Sequence, residues 1–126
     1  MVKEISTAKA PVAIGPYSQA LTAGNVMCVS GQLPIDPETG LMSEDIKKQT
    51  NQSLRNLKAI IEEAGATMSD VLKTTMYLSD IANFAEANEV YGTFFAAPYP
   101  ARAAFQVAAL PKGAKVEIEA IVYMKN

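Results

Sequence analysis

The side chains best suited to chemistry lie near the end of the sequence, between Pro98 and Met124. Arg102 opens one run of alternating residues, and Glu117 and Glu119 alternate with apolar residues in a second run after a Pro/Gly loop. Both runs have the two-residue period of a β-strand, so Arg102 and Ala104 should share a face, as should Glu117 and Glu119. We expect these strands to be neighbours. Two interpretations remain open, a structural ion pair and a functional site.

Composition narrows the chemistry that these residues could perform. The chain has 126 residues, no His and one Cys, which excludes a Ser-His-Asp triad, a Cys-His pair and His- or Cys-rich metal sites. Cys28 lies in an apolar run and is expected to be a small buried residue. Any chemistry must therefore come from Arg, Lys, Glu, Asp, Tyr, Ser and Thr side chains, backbone groups and water.

Charge and hydropathy predict a cytoplasmic protein. The net charge is −2 and the longest basic run is Lys47-Lys48, so we expect no nucleic-acid partner. No apolar run approaches the length of a membrane span, and the first residues lack the apolar segment of a signal peptide. We therefore expect neither a membrane nor an export signal to be involved.

The length predicts a single domain over residues 1–126. Hydrophobic periodicity predicts an α+β or mixed α/β layer, with about two helices on one face of a sheet. An irregular arm is expected over Ala10–Gly15, Ser43 is expected to cap the first helix, and Asn83 with Glu86 resembles a capping box on the second. Two helices cover only one face, so the other face predicts a homo-oligomer. The predicted strands are Tyr17–Thr22, Val26–Gly31, Val71–Ser79, a strand from Arg102 and Val116–Met124; the predicted helices are Ser43–Ala64 and Phe84–Ala96.

Several segments resemble landmarks of one known family. P-A-R-A-A-F-Q-V-A-A-L-P-K-G-A-K-V-E-I (Pro100 to Ile118) resembles the C-terminal signature of the reactive intermediate deaminase (RidA) family, also called the YjgF family. Further landmarks follow in the expected order over nearly the whole chain: I-G-P-Y-S-Q (Ile14 to Gln19), S-G-Q-L-P (Ser30 to Pro34), a Q-x-x-N-L-K-A-I helix ending at A-G-A, and F-A-E-A-N-E-V-Y (Phe84 to Tyr91).

The resemblance implies a chorismate-mutase-like fold of about six strands. It also implies a homotrimer whose sheets line a central barrel, with ligand sites between subunits. The implied activity is hydrolysis of reactive 2-imino acids and enamines, such as 2-iminobutanoate and 2-iminopropanoate, which pyridoxal-phosphate dehydratases release. The products are a 2-oxo acid and ammonia, and the resemblance implies no cofactor and no metal.

Carried over by position, the resemblance implies that Arg102 binds the substrate carboxylate and that Glu117 positions the attacking water. A guanidinium grips a carboxylate through two parallel charge-assisted bonds, and a carboxylate near the imine carbon can orient water and move a proton. Ala104 stands where many members have Cys, which excludes a thiol nucleophile there, although its backbone N–H can still donate to a carboxylate. The resemblance also places Tyr17, Ser30 and Gly31 in the pocket. Asn88 is a further candidate, because it lies near the apolar face of the second predicted helix and could anchor a ligand; an ordinary surface amide is the alternative.

Other functions are weighed beside this one. The same cleft could serve a regulatory protein that binds 2-oxo acids in branched-chain amino acid metabolism without turnover. A ribonuclease or translation inhibitor is a third interpretation, against which the acidic charge and the absence of His argue. A purely structural oligomer would leave Arg102 and Glu117 as a buried ion pair.

Overall fold

The computed structural model of the protein describes residues 1–125; Asn126, the last residue of the predicted domain, lies outside them. Residues 1–125 form one six-stranded mixed sheet with the order β1-β2-β3-β6-β4-β5 and two α-helices, which confirms the predicted fold class. All neighbouring strands are antiparallel except β4 and β5, which run parallel. The elements are β1 (Val2–Ile5), β2 (Ala20–Ala23), β3 (Val26–Gln32), α1 (Ile46–Glu63), β4 (Val71–Leu78), α2 (Phe84–Tyr91), β5 (Ala101–Gln106) and β6 (Val116–Tyr123).

The core lies between the helices and one face of the sheet. Alternate residues of β6 point into it, and α1 contributes a stripe at the three- and four-residue spacing of a helix. Because β6 is hydrogen-bonded to both β3 and β4, its buried residues form the centre of the core. Fully buried core residues include Val116, Ile118, Val122, Leu54, Leu57, Ile60 and Ile61.

The first helix begins later than the sequence predicts. Asp45, not Ser43, is its N-cap, and the Asp45 carboxylate accepts a hydrogen bond of 3.0 Å from the backbone N–H of Lys48. The Ser43 hydroxyl accepts instead from the N–H of Asp45, 3.1 Å away, and so supports the cap residue. At the other end, Gly65 has a positive φ of 84°, which is typical of the residue that follows a helix.

The second helix is shorter than predicted and lacks the expected capping box. Asn83 has helical dihedrals and makes no cap bond; the Asp80 side chain instead accepts from Ala82 N–H at the start of the preceding 3₁₀ turn. The helix ends at Tyr91 because Gly92 and Thr93 are weak helix formers and the Thr93 hydroxyl donates to the Val90 carbonyl at 2.6 Å.

Two further predictions differ from the structure at the strands. β1 was not expected from Val-Lys-Glu-Ile; it pairs with β2 and forms the edge of the sheet. β2 begins at Ala20 and not at Tyr17, because the segment before it forms no ladder with a neighbouring strand.

The sheet face opposite the helices carries exposed apolar side chains. Cys28 lies on this face between Leu21 and Ile121, and it is exposed, so the prediction of a buried cysteine is wrong. The sequence pattern could not decide this, because an apolar β3 run is compatible with either face pointing inward. Other exposed apolar residues on this face are Val26, Phe105 and Tyr123.

Neither α1 nor any other helix within residues 1–125 has the length and apolar character needed to cross a bilayer.

The cap assignment predicts unequal effects of two substitutions. Asp45→Ala should lower the free energy of unfolding by about 1 kcal/mol, because an N–H in the first turn of α1 loses its acceptor. Ser43→Ala should have a smaller effect, because Ser43 only supports Asp45. Urea unfolding followed by circular dichroism measures both, and a larger effect of Ser43→Ala would contradict the assignment.

Candidate active site

Four of the predicted site residues meet in one cleft of about 680 Å³. Tyr17, Ser30, Gly31 and Glu117 all line it, on the side where the ends of β3 and β6 meet the segment that precedes β2. Two other clefts, of about 490 and 470 Å³, lie beside Lys58 and Phe94 and contain none of the predicted site residues. The cleft at Glu117 is therefore the candidate site.

Gly31 makes room for the carboxylate of Glu117. A Cβ atom at Gly31 would lie 2.3 Å from Glu117 Oε2, closer than any non-bonded contact allows. The strand predicted to end at Gly31 continues to Gln32, past a register shift between Val29 and Gln32. The missing side chain thus allows the Glu117 carboxylate to lie against the backbone of β3.

The hydroxyl proton of Ser30 is already donated in a hydrogen bond within the protein. Its Oγ donates to the Ser18 carbonyl at 2.6 Å, and its backbone N–H donates to the Gln19 carbonyl at 2.9 Å. A serine hydroxyl has one proton, so Ser30 can offer a ligand only a lone pair on its oxygen. Ser30 also holds the segment that carries Tyr17.

The carboxylate of Glu117 is half-buried beside a second acid. Burial raises the pKa of Glu117 above its ordinary value of 4.5, and the Glu119 carboxylate on the same strand face raises it further. A carboxylate with a raised pKa is a better proton acceptor than a solvated one once it is ionised. These features suit Glu117 to a general base.

Tyr77 borders this acidic pair and was not singled out by the sequence. It lies beside Glu117 in the β4–β6 register, and its ring meets Phe105 edge-on with centroids 5.5 Å apart. Burial raises the pKa of Tyr77, and the neighbouring Glu119 carboxylate raises it further, so the phenol keeps its proton at neutral pH. Only the tertiary pairing of β4 with β6 reveals this neighbour.

Arg102 lies outside this cleft. β5 and β6 are not neighbours, contrary to expectation, since β4 lies between them. Arg102 pairs in register with Thr74, and Glu117 pairs with Tyr77; these two β4 residues are an odd number of positions apart. Side chains alternate along a strand, so Arg102 points to the helix face and Glu117 to the opposite face.

The Arg102 guanidinium is held at the surface by α2. Its Nη1 donates to Asn88 Oδ1 at 2.7 Å, and its Cζ lies 4.7 Å from the centroid of the Tyr91 ring and 5.4 Å from that of Phe84. Asn88 is thus an anchor for Arg102 on the helix surface. Ala104, two residues along β5, is half-buried against the core on the same side.

In the part of the chain that the structure describes, no carboxylate forms an ion pair with Arg102. The ion pairs within residues 1–125 join Lys47 to Glu89 and Lys125 to Asp70, and Arg102 takes part in neither. The interpretation of Arg102 and Glu117 as an ion pair within one chain is therefore wrong. The predicted residues form two groups: a Glu117 half-site (Tyr17, Ser30, Gly31, Glu117) and an Arg102 half-site (Asn88, Arg102, Ala104).

Within residues 1–125, no three His, Cys, Asp or Glu side chains are grouped so that they could hold a metal ion.

By its fold and its cleft, this chain is a small α+β protein with a carboxylate-lined cleft, and its sequence contains no His. A family model described as "Endoribonuclease L-PSP" matches residues 7–124, and the chain belongs to this family. A 2-iminobutanoate/2-iminopropanoate deaminase of Salmonella typhimurium is 48% identical over 124 residues, which cover 96% of this chain and 97% of the relative.

Solved structures give the same result. RidA from an Antarctic Psychrobacter is 52% identical, with a TM-score of 0.94 over 97% of this chain and 99% of that one. Escherichia coli TdcF, solved with bound serine, is 45% identical, with a TM-score of 0.95 over 98% and 99% of the two chains. The resemblance to the RidA/YjgF family is confirmed.

The raised pKa of Glu117 predicts how stability depends on pH. Its contribution to stability is fully present below its ordinary pKa of 4.5 and is lost as the pH rises through its higher pKa in the folded protein. A glutamine does not ionise, so Glu117→Gln does not lose this stability as the pH rises. The difference between the thermal midpoint of Glu117→Gln and that of the wild type should therefore increase between pH 4.5 and neutral pH. Thermal unfolding at a series of pH values measures the difference.

Glu44→Gln, at an exposed site before α1, is the control and should show no such rise. A fall in the relative midpoint of Glu117→Gln toward neutral pH would contradict the prediction, because it would show that the folded protein favours the charged form of Glu117.

Proposed function

We propose that this protein hydrolyses reactive 2-imino acids, such as 2-iminobutanoate and 2-iminopropanoate, to the 2-oxo acid and ammonia. The observation that carries the proposal is a half-buried carboxylate, Glu117, placed by Gly31 in a cleft with Tyr17 and Ser30. It is supported by the names of curated relatives, among them the Salmonella typhimurium deaminase. The serine bound by E. coli TdcF carries an α-carboxylate, as a 2-imino acid does.

The reaction needs a general base and a cation. The ionised Glu117 carboxylate takes a proton from water while the water oxygen bonds to C2 of the protonated imine, whose C=N π electrons move to nitrogen. The protonated Glu117 then returns this proton to the nitrogen of the resulting carbinolamine. The C–N bond breaks and ammonia leaves as the hydroxyl oxygen forms the C=O bond of the 2-oxo acid and its proton passes to the Glu117 carboxylate. The Ser30 oxygen has a lone pair free to accept from the imine N–H.

The Glu117 cleft by itself is poorly suited to an anionic substrate. Among residues 1–125, its charged lining consists of Asp36, Glu117 and Glu119 against a single cation, Lys112. Three carboxylates repel a substrate carboxylate at short range, so binding needs a further cation. Arg102 is such a cation, and its planar fork suits a carboxylate, but within one chain it points to the other face of the sheet.

We infer that a second copy of the chain supplies Arg102. The sheet face opposite the helices is apolar and uncovered, which suits closure against other copies. The proposed assembly is a homotrimer whose sheets line a barrel, with the Arg102 half-site of one subunit facing the Glu117 half-site of the next. Asn88 then orients Arg102, and Ala104 offers its backbone N–H to the substrate.

We place this activity in the cytoplasm, where pyridoxal-phosphate dehydratases release imines during the breakdown of threonine and serine. Isoleucine biosynthesis, which uses 2-oxobutanoate, is the proposed context. No cofactor, nucleic acid or membrane takes part in the proposed reaction. The acidic cleft also argues against RNA, whose phosphates it would repel.

The activity is tested with a threonine dehydratase that makes 2-iminobutanoate while semicarbazide traps the imine. The wild-type protein should suppress semicarbazone formation, and Arg102→Ala should lose about 100-fold in kcat/KM because the substrate carboxylate loses its two charge-assisted bonds. Arg102→Lys, which keeps the charge and loses the fork, should stay well below wild type. A wild-type protein that binds 2-oxobutanoate and leaves semicarbazone unchanged would instead be the regulatory protein.

Subunit mixing tests whether two chains share one site. Arg102→Ala and Glu117→Gln should each be inactive alone, whereas refolding them together in equal amounts should restore about a quarter of the wild-type rate, because some interfaces then combine an intact Arg102 with an intact Glu117. The control is Arg102→Ala refolded with a variant that carries both Arg102→Ala and Glu117→Gln. This mixture should stay inactive, because neither chain has an intact Arg102. Failure of the first mixture to recover, with mixed oligomers demonstrated, would place the site within one chain.

Gly31→Ala tests the placement of Glu117 without removing its carboxylate. The new Cβ must push aside the Glu117 carboxylate, which is the end of a flexible side chain, so the variant should fold and lose at least about tenfold in kcat/KM. Gly92→Ala is the matched control, since its Cβ meets only backbone oxygens at 3.6 Å. Wild-type activity in Gly31→Ala would show that the position of Glu117 is unimportant.

A further inference from the structure

A buried amide joins the irregular N-terminal arm to the sheet. Gln19 immediately precedes β2, and only 2% of its surface is exposed. Its Oε1 accepts from Thr7 N–H at 2.8 Å, and its Nε2 lies within hydrogen-bond distance of three carbonyl oxygens, those of Pro11 (2.8 Å), Thr7 (3.1 Å) and Ala10 (3.4 Å). One side chain thus fixes the backbone over residues 7–11.

The segment over residues 11–17, which follows this anchor, forms one wall of the Glu117 cleft. Pro11, Val12, Ile14 and Tyr17 all line the cleft. Val12 and Ile14 are 67% and 74% exposed, so packing of their side chains does little to hold this wall in place. The wall depends on its two ends, one bound to Gln19 and the other to Ser30.

An amide is the side chain that this position requires. The arm carbonyls at Thr7, Ala10 and Pro11 need donors, while the Thr7 N–H needs an acceptor. A glutamate could accept from Thr7, but its charge would face carbonyl oxygens, and an aliphatic residue would leave all of these groups unpaired.

A second wall of the cleft, formed by the segment after β3, is fixed by another buried amide. Asn56 on α1 is 1% exposed, and its Nδ2 donates to the carbonyls of Leu33 and Ile35 at 3.1 and 2.9 Å. Its Oδ1 accepts from Gln52 Nε2 at 2.8 Å, which orients the amide. Leu33 and Ile35 both line the cleft.

We propose that Gln19 and Asn56 are positioning residues of the cleft, which hold its two walls at the spacing that the substrate needs. This proposal rests on the proposed function of the cleft. Neither residue lines the cleft, so each acts through the backbone that it binds. Because the walls contact the substrate and Glu117 contacts the water, loosening a wall should act on KM more than on kcat.

Gln19→Met and Gln19→Glu test the first wall. Both should raise KM about tenfold with a smaller change in kcat, and both should speed hydrogen exchange of the Thr7 amide, whose acceptor is lost or displaced. Asn56→Leu should raise KM in the same way while leaving exchange at Thr7 unchanged. Asn56→Leu also keeps the test decisive if the Gln19 variants fail to fold.

Thr50→Val is the matched control. Thr50 is fully buried on α1, its hydroxyl donates to the Ile46 carbonyl at 2.8 Å, and it does not line the cleft. It should lower the thermal midpoint without changing KM or the Thr7 exchange rate. A rise in KM for Thr50→Val equal to that for Gln19→Met would overturn the proposal, since general destabilisation would then explain both.

The experiment separates this proposal from the proposed function. If the wild type hydrolyses imines while the Gln19 and Asn56 variants keep its KM and exchange rates, the positioning role is overturned and the function stands. If the wild type is inactive, the proposed function fails, and faster Thr7 exchange confined to the Gln19 variants would still support the anchoring of the arm.

Discussion

The alternation of side chains along β6 is the constraint on which the rest of the structure depends. The central strand sends Val116, Ile118 and Val122 into the core, and this leaves Glu117 and Glu119 on the other face. A shift of one residue in its pairing would bury the two carboxylates among apolar side chains and expose the core residues. Hydrophobic burial therefore fixes the position of the candidate base.

The same alternation separates Arg102 from Glu117. Because β5 joins the sheet in parallel beside β4, the register sends Arg102 to the face covered by α2, where Asn88 and Tyr91 hold it. Within residues 1–125, one face of the sheet then carries the acidic cleft, and the other carries Arg102, which forms no ion pair with a carboxylate there. Two copies that face each other can combine the two, so the geometry of one sheet makes the proposed activity depend on assembly.

The cleft shows how irregular backbone is stabilised next to a functional group. Its walls are loops whose carbonyls find no partner in the sheet, and buried side-chain amides supply the missing donors. Gly31 has no side chain, and the Glu117 carboxylate can therefore lie close to the backbone of β3. The resulting burial opposes ionisation of Glu117, so the features that suit it to proton transfer also cost folding stability.

Local patterns in the sequence were enough for the fold class and for every α-helix and strand except β1, and the ordered landmarks along the chain were enough for the family. The two-residue period of Val116–Met124 and the three- and four-residue spacing of α1 reflect which side chains must be buried, and burial is encoded residue by residue. The helix ends were less predictable: Asp45 displaced Ser43 as the cap, and α2 stopped at Tyr91, because neighbouring polar side chains compete for the same backbone groups.

The sequence by itself determined which residues could do the chemistry, since the absence of His and the Arg102 and Glu117 patterns are visible without coordinates. Only the tertiary structure decided how they are arranged. Strand order and register are set by contacts between distant segments, so the insertion of β4 between β5 and β6, the exposure of Cys28 and the approach of Glu117 to Gly31 could not be deduced from local patterns. The roles of Gln19 and Asn56 depend on bonds that span 8 to 23 residues, which no local pattern contains.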